Sequence, residues 1–177
     1  QLIAAREAGS AALESAETLL FMPDLFNYLF TGQRRNEFSI ASTSQMYDPR
    51  SKGWAAGLLD RLGLPHRILA PIVPAGSVLG PVRKDVADEC GVKPIPVIAP
   101  GTHDTASAVA AVPAEGEGWC YISSGTWSLM GVELPEPVIS DKALKYNYTN
   151  EGGVGDCIRF LKNIMGMWPI QECRRYW

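Results

Sequence analysis

The chain has 177 residues, 46% of them hydrophobic and 20% charged, with a formal net charge of −3. That length suffices for one ordinary domain or for parts of two, and the composition is that of a folded globule rather than a disordered segment. The acidic balance argues against a nucleic-acid partner, and no apolar run approaches the roughly 18 residues that would span a membrane.

Residues 1–20 are rich in Ala and Glu and carry Leu2, Leu13, Ala16 and Leu20 at helical offsets, so they read as a helix broken near Gly9-Ser10. Charges run through this start, so it is not an export signal. Pro23 suits the start of a second helix, Leu25, Phe26 and Leu29 give that helix an apolar face, and Thr31-Gly32 closes it. Residues 36–47 fit a capped helix or an alternating strand. Residues 48–53 are a turn, and 54–62 read as a short amphipathic helix ended by Gly63. Residues 66–81, punctuated by Pro71, Pro74, Gly76 and Gly80, are extended with turns, and 85–90 form a brief helix closed by Gly91.

Pro96-Val97-Ile98-Ala99 is a compact apolar run and reads as a buried strand. Gly101-Thr102-His103-Asp104 follows, and then a helix of small residues over 105–112. Residues 113–118 are the clearest linker and mark a domain boundary. Residues 119–122 and 127–133 read as a strand and its return around a Ser/Gly/Thr turn. Residues 151–155 are a glycine loop, after which Asp156 is expected to cap a last helix with Ile158, Leu161, Met165 and Trp168 on one face. The class is therefore α/β, and both ends read as cut from something longer. Cys90, Cys120, Cys157 and Cys173 have no C-x-x-C spacing and only two histidines accompany them, so no zinc site is expected. Reduced thiols and a cytoplasmic setting are the default.

Three constellations can carry chemistry. In the first, His103-Asp104-Thr105 follows a strand and opens a helix, the place where open α/β sheets bind ligands. A carboxylate held there can accept a proton from a substrate hydroxyl; the alternative is that Asp104 merely caps the helix and His103 packs beside it. In the second, Ser123-Ser124-Gly125-Thr126 can point several N–H groups and hydroxyls at a phosphate, or can be an ordinary hairpin turn. In the third, Asn150-Glu151-Gly152-Gly153 leads to Arg159, Lys162 and Asn163, and Asn163 and Gln171, eight residues apart on the expected last helix, sit about 80° apart around its axis. They face a common cleft or are solvated, while Arg159 and Lys162 read as a solvated face. No G-x-x-x-x-G-K-[ST] and no G-x-G-x-x-G occurs, so neither a P-loop nor nicotinamide chemistry is expected. Nor is a Ser123/Ser124 hydrolase, because there is no G-x-S-x-G elbow and adjacent His and Asp side chains in an extended segment point apart.

MPDLFNYLFTG (22–32), HDTASAV (103–109), SSGTWSLMG (123–131), TNEGG (149–153) and LKNIMG (161–166) occur together and in order. Together they resemble the FGGY carbohydrate-kinase family over nearly the whole chain, and TNEGG with LKNIMG resembles its L-rhamnulose-phosphorylating branch. The resemblance implies a partial ribonuclease H-like, actin-like ATPase fold, comprising the end of the first domain (1–112) and the start of the second (113–177). It implies that Asp104 is the proton acceptor, that His103, Asp104, Thr105 and Asn163 contact the sugar, and that Gly125, Thr126 and Gln171 contact ATP. The implied reaction moves the γ-phosphoryl of ATP, with Mg²⁺, to O1 of L-rhamnulose; L-fuculose or L-xylulose as acceptor, or a sugar-binding module without catalysis, are the alternatives. The family's first phosphate loop and its adenosine-binding glycine motif have no counterpart in these 177 residues, so the chain alone is expected not to turn over. Pro169 stands where the related pattern has an apolar residue, and a kink before Gln171 is expected from it. Asp104 before the linker and Thr126 after it are expected to meet by domain closure.

Overall fold

The computed structural model describes residues 1–116 and 118–177, and forms two compact units, Gln1–Thr102 and His103–Trp177. Glu117, within the linker expected over 113–118, lies outside the described residues.

The first unit begins with α1 (Leu2–Glu7) and α2 (Ala11–Ser15). Gly9 takes φ +61° between them, and Ser10 caps α2 by accepting the Leu13 N–H at 3.4 Å. α3 (Met22–Thr31) has Pro23 in its first turn and Gly32 at φ +74° beyond its end, a left-handed position that glycine takes without steric cost. β1 (Asn36–Glu37) runs into α4 (Phe38–Ala41), so the ambiguous stretch is both strand and helix. β2 (Tyr47–Asp48) and β3 (Gly53–Trp54) make a small hairpin. This hairpin takes Trp54 out of the helix expected there and leaves α5 (Ala56–Arg61). β4 (Ile72–Val73) pairs in parallel with β1. β5 (Val78–Pro81) and β6 (Pro96–Ile98) flank α6 (Lys84–Cys90) and pair antiparallel. The buried strand expected over 96–99 is corrected here: among the described residues β6 pairs only with β5, Ile98 stays exposed, and burial is confined to Ala99.

The unit is tied together by Glu37, which is fully buried. Its carboxylate accepts the Ser39 N–H at 2.9 Å, the Ser39 hydroxyl, and both the N–H and the hydroxyl of Thr102, at 2.9 and 2.8 Å. Multiple donors are what let a carboxylate stay buried, and these fix the segment that leads to His103. Asp24 on α3 accepts the Glu37 N–H at 3.1 Å through Oδ1, while its Oδ2 is buried without a partner among the described residues. Burial, reinforced by the charge of Glu37, pushes Asp24 up to about 7, against the Glu37 N–H bond, which pulls it down.

The second unit begins with α7 (Asp104–Ala110), which packs against β7 (Tyr121–Ser124). β7 turns into β8 (Trp127–Leu134). After α8 (Asp141–Lys145) come β9 (Thr149–Gly152), β10 (Ile158–Met165) and α9 (Trp168–Tyr176). The four strands form one antiparallel sheet in the order β7-β8-β10-β9. The helix expected after Asp156 is thus overturned. β10 is one of two long inner strands, paired with β8 along its whole length and with β9 along its first half. Asp156 takes φ +60° in the turn beside Gly155 rather than capping a helix. Pro169 lies in the first turn of α9, where its missing N–H costs no helical bond, so the expected kink does not arise. No helix among the described residues is long and apolar enough to cross a membrane.

Asp24 makes the first unit sensitive to pH. A carboxyl whose folded value is raised contributes its stabilisation below its unfolded value near 3.8 and loses it as pH rises to about 7. The thermal midpoint of the first unit is expected to fall between pH 4 and pH 8. Asp24→Asn, which keeps an acceptor for the Glu37 N–H but does not ionise, is expected to flatten that fall. Melting curves at the two pH values measure both.

Candidate active site

The pairing register assigns the sheet's side chains to its two faces, because neighbours along a strand alternate and directly paired residues share a face. Arg159 is paired with Glu133 on β8 and Glu151 on β9, and Leu161, Asn163 and Met165 follow on the same face of β10. Asn163 is therefore a strand residue, roughly 13 Å along β10 from Arg159 at about 3.3 Å per residue. Gln171 lies on α9. The expectation that the two amides share one helix is corrected: the chain changes from strand to helix between them.

Arg159, expected as a solvated face, is fully buried. Its Nε donates to the Gly152 carbonyl at 2.9 Å, and its Nη2 lies 3.2 Å from Glu151 Oε2 and 2.9 Å from His103 Nδ1. Such a fork lies in a sheet interior at a cost unless acceptors meet it, and Nη1 is buried without a partner among the described residues. Glu133, its partner on the other side, accepts the thiol of Cys157 at 3.1 Å. Burial, and then the Glu133 carboxylate, push that thiol up to about 12, so it stays a donor across the neutral range. Burial likewise pushes the Tyr121 phenol up to about 12, with the charge of Arg159 acting the other way. Glu151 and Arg159 are grouped in the sequence but given no site role there. An acid on each neighbouring strand opposite a lone Arg is a signal visible only once the register is known.

His103 is mostly enclosed, while Asp104, the first residue of α7, is 96% exposed at its side chain. The expectation that Asp104 stands within a ligand-binding crevice is corrected: the described residues leave its side chain open. Asp104 Oδ1 accepts the Thr105 N–H at 2.7 Å and lies 3.4 Å from the Thr105 hydroxyl, and Thr105 itself is buried. His103 Nε2 is 3.7 Å from Asp104 Oδ1, so the two side chains turn toward each other rather than apart. The turn into α7 at Asp104 breaks the extended alternation.

The turn from Gly125 to Trp127 is held from outside its own hairpin. Gly125 donates to the Trp127 carbonyl at 2.9 Å, while the carbonyls of Gly125 and Thr126 accept the N–H groups of Met167 and Trp168 at 2.8 and 3.3 Å. Gly166 permits this approach: a Cβ there would lie 2.4 Å from the Gly125 oxygen and 2.7 Å from Ser128 Oγ. The exposed Thr126 side chain is thereby presented on a braced loop. Asp104 and Thr126, expected on opposite sides of a hinge, both belong to the second unit.

A sequence description reading "FGGY family of carbohydrate kinases, N-terminal domain" matches residues 6–111, and its C-terminal-domain counterpart matches 120–177. Among curated relatives, a rhamnulokinase of Oceanobacillus iheyensis is 47% identical over 175 residues, 99% of this chain and 37% of the relative. One from Bacteroides thetaiotaomicron is 45% identical over 177 residues, 100% of this chain and 36% of the relative. The chain therefore spans a little over a third of the length of these relatives. Among solved structures, a xylulose kinase from Rhodospirillum rubrum superposes with a TM-score of 0.78 at 20% identity, over 93% of this chain and 33% of that one. A gluconate kinase from Lactobacillus acidophilus also gives 0.78, at 15% identity, over 98% of this chain and 35% of that one.

The brace at Gly166 gives a direct test. Gly166→Ala is expected to cost about 1–3 kcal/mol, because the colliding atoms are largely backbone. Gly57→Ala on α5, where nothing lies within 4 Å of the new methyl, is expected to be neutral or to gain up to about 1 kcal/mol. Denaturant unfolding of the two variants beside the parent chain measures the difference.

Proposed function

This chain belongs to the FGGY family of carbohydrate kinases and carries part of the ribonuclease H-like, actin-like ATPase fold, and from that membership we propose that it forms part of an ATP-dependent kinase that phosphorylates L-rhamnulose at O1. Residues 1–112 are then the closing part of the family's N-terminal domain, and 113–177 the opening part of its C-terminal domain. The name carried by relatives 41–47% identical supports L-rhamnulose over other ketoses. The observation that carries the reading is Asp104: a carboxylate at the start of a helix, oriented through one oxygen by Thr105 and open to an incoming hydroxyl.

In the proposed reaction the O1 hydroxyl of the ketose attacks the γ-phosphorus of ATP. The bond between that phosphorus and the bridging oxygen of ADP breaks, and the hydroxyl proton passes to Asp104. Phosphoryl transfer asks mainly for alignment and charge neutralisation, and the base contributes about 10²–10⁴-fold. His103 and Asn163 contact the sugar, and Thr105 holds the Asp104 carboxylate in place. Gly125 and Thr126 on the braced turn meet the ATP phosphates, and Gln171 contacts ATP from α9. Mg²⁺ accompanies those phosphates. No group of three or more His, Cys, Asp or Glu able to hold a metal occurs among the described residues, so no step is assigned to a metal held by this chain. Sugar and ATP are the partners, and the cytoplasm is the compartment.

In a full-length kinase carrying this chain, Asp104→Asn is expected to lower kcat by about 10²–10⁴-fold while calorimetry still reports sugar binding. Unchanged turnover would remove Asp104 from the mechanism. The 177-residue chain by itself is expected to give no phosphorylation above blank.

A further inference from the structure

Asn163 does not stand alone on its face of the sheet. Its neighbours along β10 are Leu161, fully buried, and Met165, 59% exposed. Across the ladder it is paired with Leu129, and its diagonal neighbour is Trp127, 66% exposed and itself paired with Met165. Paired side chains in an antiparallel ladder stand about 4.5–5.5 Å apart, and a diagonal neighbour at about 7–8 Å is still within reach of an aromatic ring. An exposed amide is thus bordered by a half-buried Leu, an indole and a thioether. Trp127 is also fixed at its backbone. Its carbonyl accepts the Gly125 N–H, and the turn before it is held by the N–H groups of Met167 and Trp168. A rigid apolar surface of this kind, left in water beside one amide, suits a ligand that carries a hydroxyl close to an apolar group.

L-Rhamnulose is such a ligand. It is a 6-deoxyketose, hydroxylated along its chain but ending in a methyl at C6. L-Fructose differs from it only by carrying a hydroxyl on C6. The Asn163 amide offers both a donor and an acceptor to a sugar hydroxyl. The methyl needs neither and gains by leaving water. A C6 hydroxyl on the same surface would exchange water for ring carbons and a thioether, a weak acceptor, with the indole N–H at the ring's edge as its one partner among these side chains. We propose that Trp127 and Met165 are specificity-determining residues, forming the platform that takes the C6 methyl of a 6-deoxyketose held by Asn163. This rests on the ketose-kinase reading above and adds to it the part of the ketose by which the chain selects its acceptor.

Kinetics of a full-length kinase carrying this chain, with L-rhamnulose and L-fructose as acceptors, test this. The parent is expected to favour L-rhamnulose in kcat/KM by about tenfold, the scale of one methyl group in an apolar site. Trp127→Gln and Met165→Gln are each expected to lower that ratio by about threefold or more, the scale of a methyl-sized group losing its apolar contact, with KM for ATP unchanged. Trp127→Phe and Met165→Leu, which keep the surface apolar, are expected to hold the ratio near the parent's. Should Trp127→Gln fail to fold, Met165→Gln decides. A parent that accepts the two sugars equally overturns the proposal, as does an equal loss on both sugars in the Gln variants. A parent that phosphorylates neither sugar defeats the ketose-kinase reading and the proposal with it, whereas an unmoved ratio in an active enzyme defeats the proposal alone.

Discussion

β10 carries the second unit because it is hydrogen-bonded on both edges. Pairing with β8 along eight residues and with β9 along four satisfies the backbone groups of an inner strand. It also makes Glu133 and Glu151 the cross-strand partners of Arg159, and the Glu151 carboxylate meets the guanidinium. A guanidinium buried in a sheet is costly unless acceptors meet it; Glu151 and the Gly152 carbonyl do so here, while Nη1 is left without a partner among the described residues. The same register sends Asn163 out on the Arg159 face and delivers Gly166 to the Gly125–Trp127 turn. A slip of one residue would move every one of these groups to the other face. Orientation of His103, presentation of Asn163 and bracing of the Gly125–Trp127 turn are thus three consequences of one strand alignment.

The first unit relies on a comparable arrangement with the charges reversed. Glu37 is buried among N–H and O–H donors, two of them from Thr102, so the turn that precedes His103 is anchored by an acid 65 residues earlier in the chain. Asp24 beneath it completes the Glu37 backbone, leaving one of its own oxygens unpaired among the described residues. In each unit a buried charge organises backbone around it.

Much of this layout can be read from residues alone. Glycines at 32 and 91 end helices because their left-handed φ values suit no other residue as well, and the spacing of Trp127 to Leu134 announces a strand. The motif residues at 103–105 and 125–126 announce themselves by type. The failure at β10 has a plain cause. Ile158, Leu161 and Met165 also fit the offsets of a helix face, and nothing local reveals that β8 and β9 will compete for the same backbone. With the strand misread, Arg159 looked like surface, Asn163 and Gln171 shared a helix that does not exist, and Pro169 fell in mid-helix rather than at a helix start. The openness of Asp104 is of another kind, since exposure depends on everything packed around a residue and not on its own segment.

The family assignment and the chemistry meet in the choice of acceptor. In a full-length kinase carrying this chain, ATP-coupled turnover should be measured with L-rhamnulose, L-fuculose and L-xylulose in parallel. The account predicts the highest kcat/KM for L-rhamnulose, with phosphate on O1 of the product. A higher kcat/KM for either other ketose, or no phosphorylation of any of the three, would contradict it.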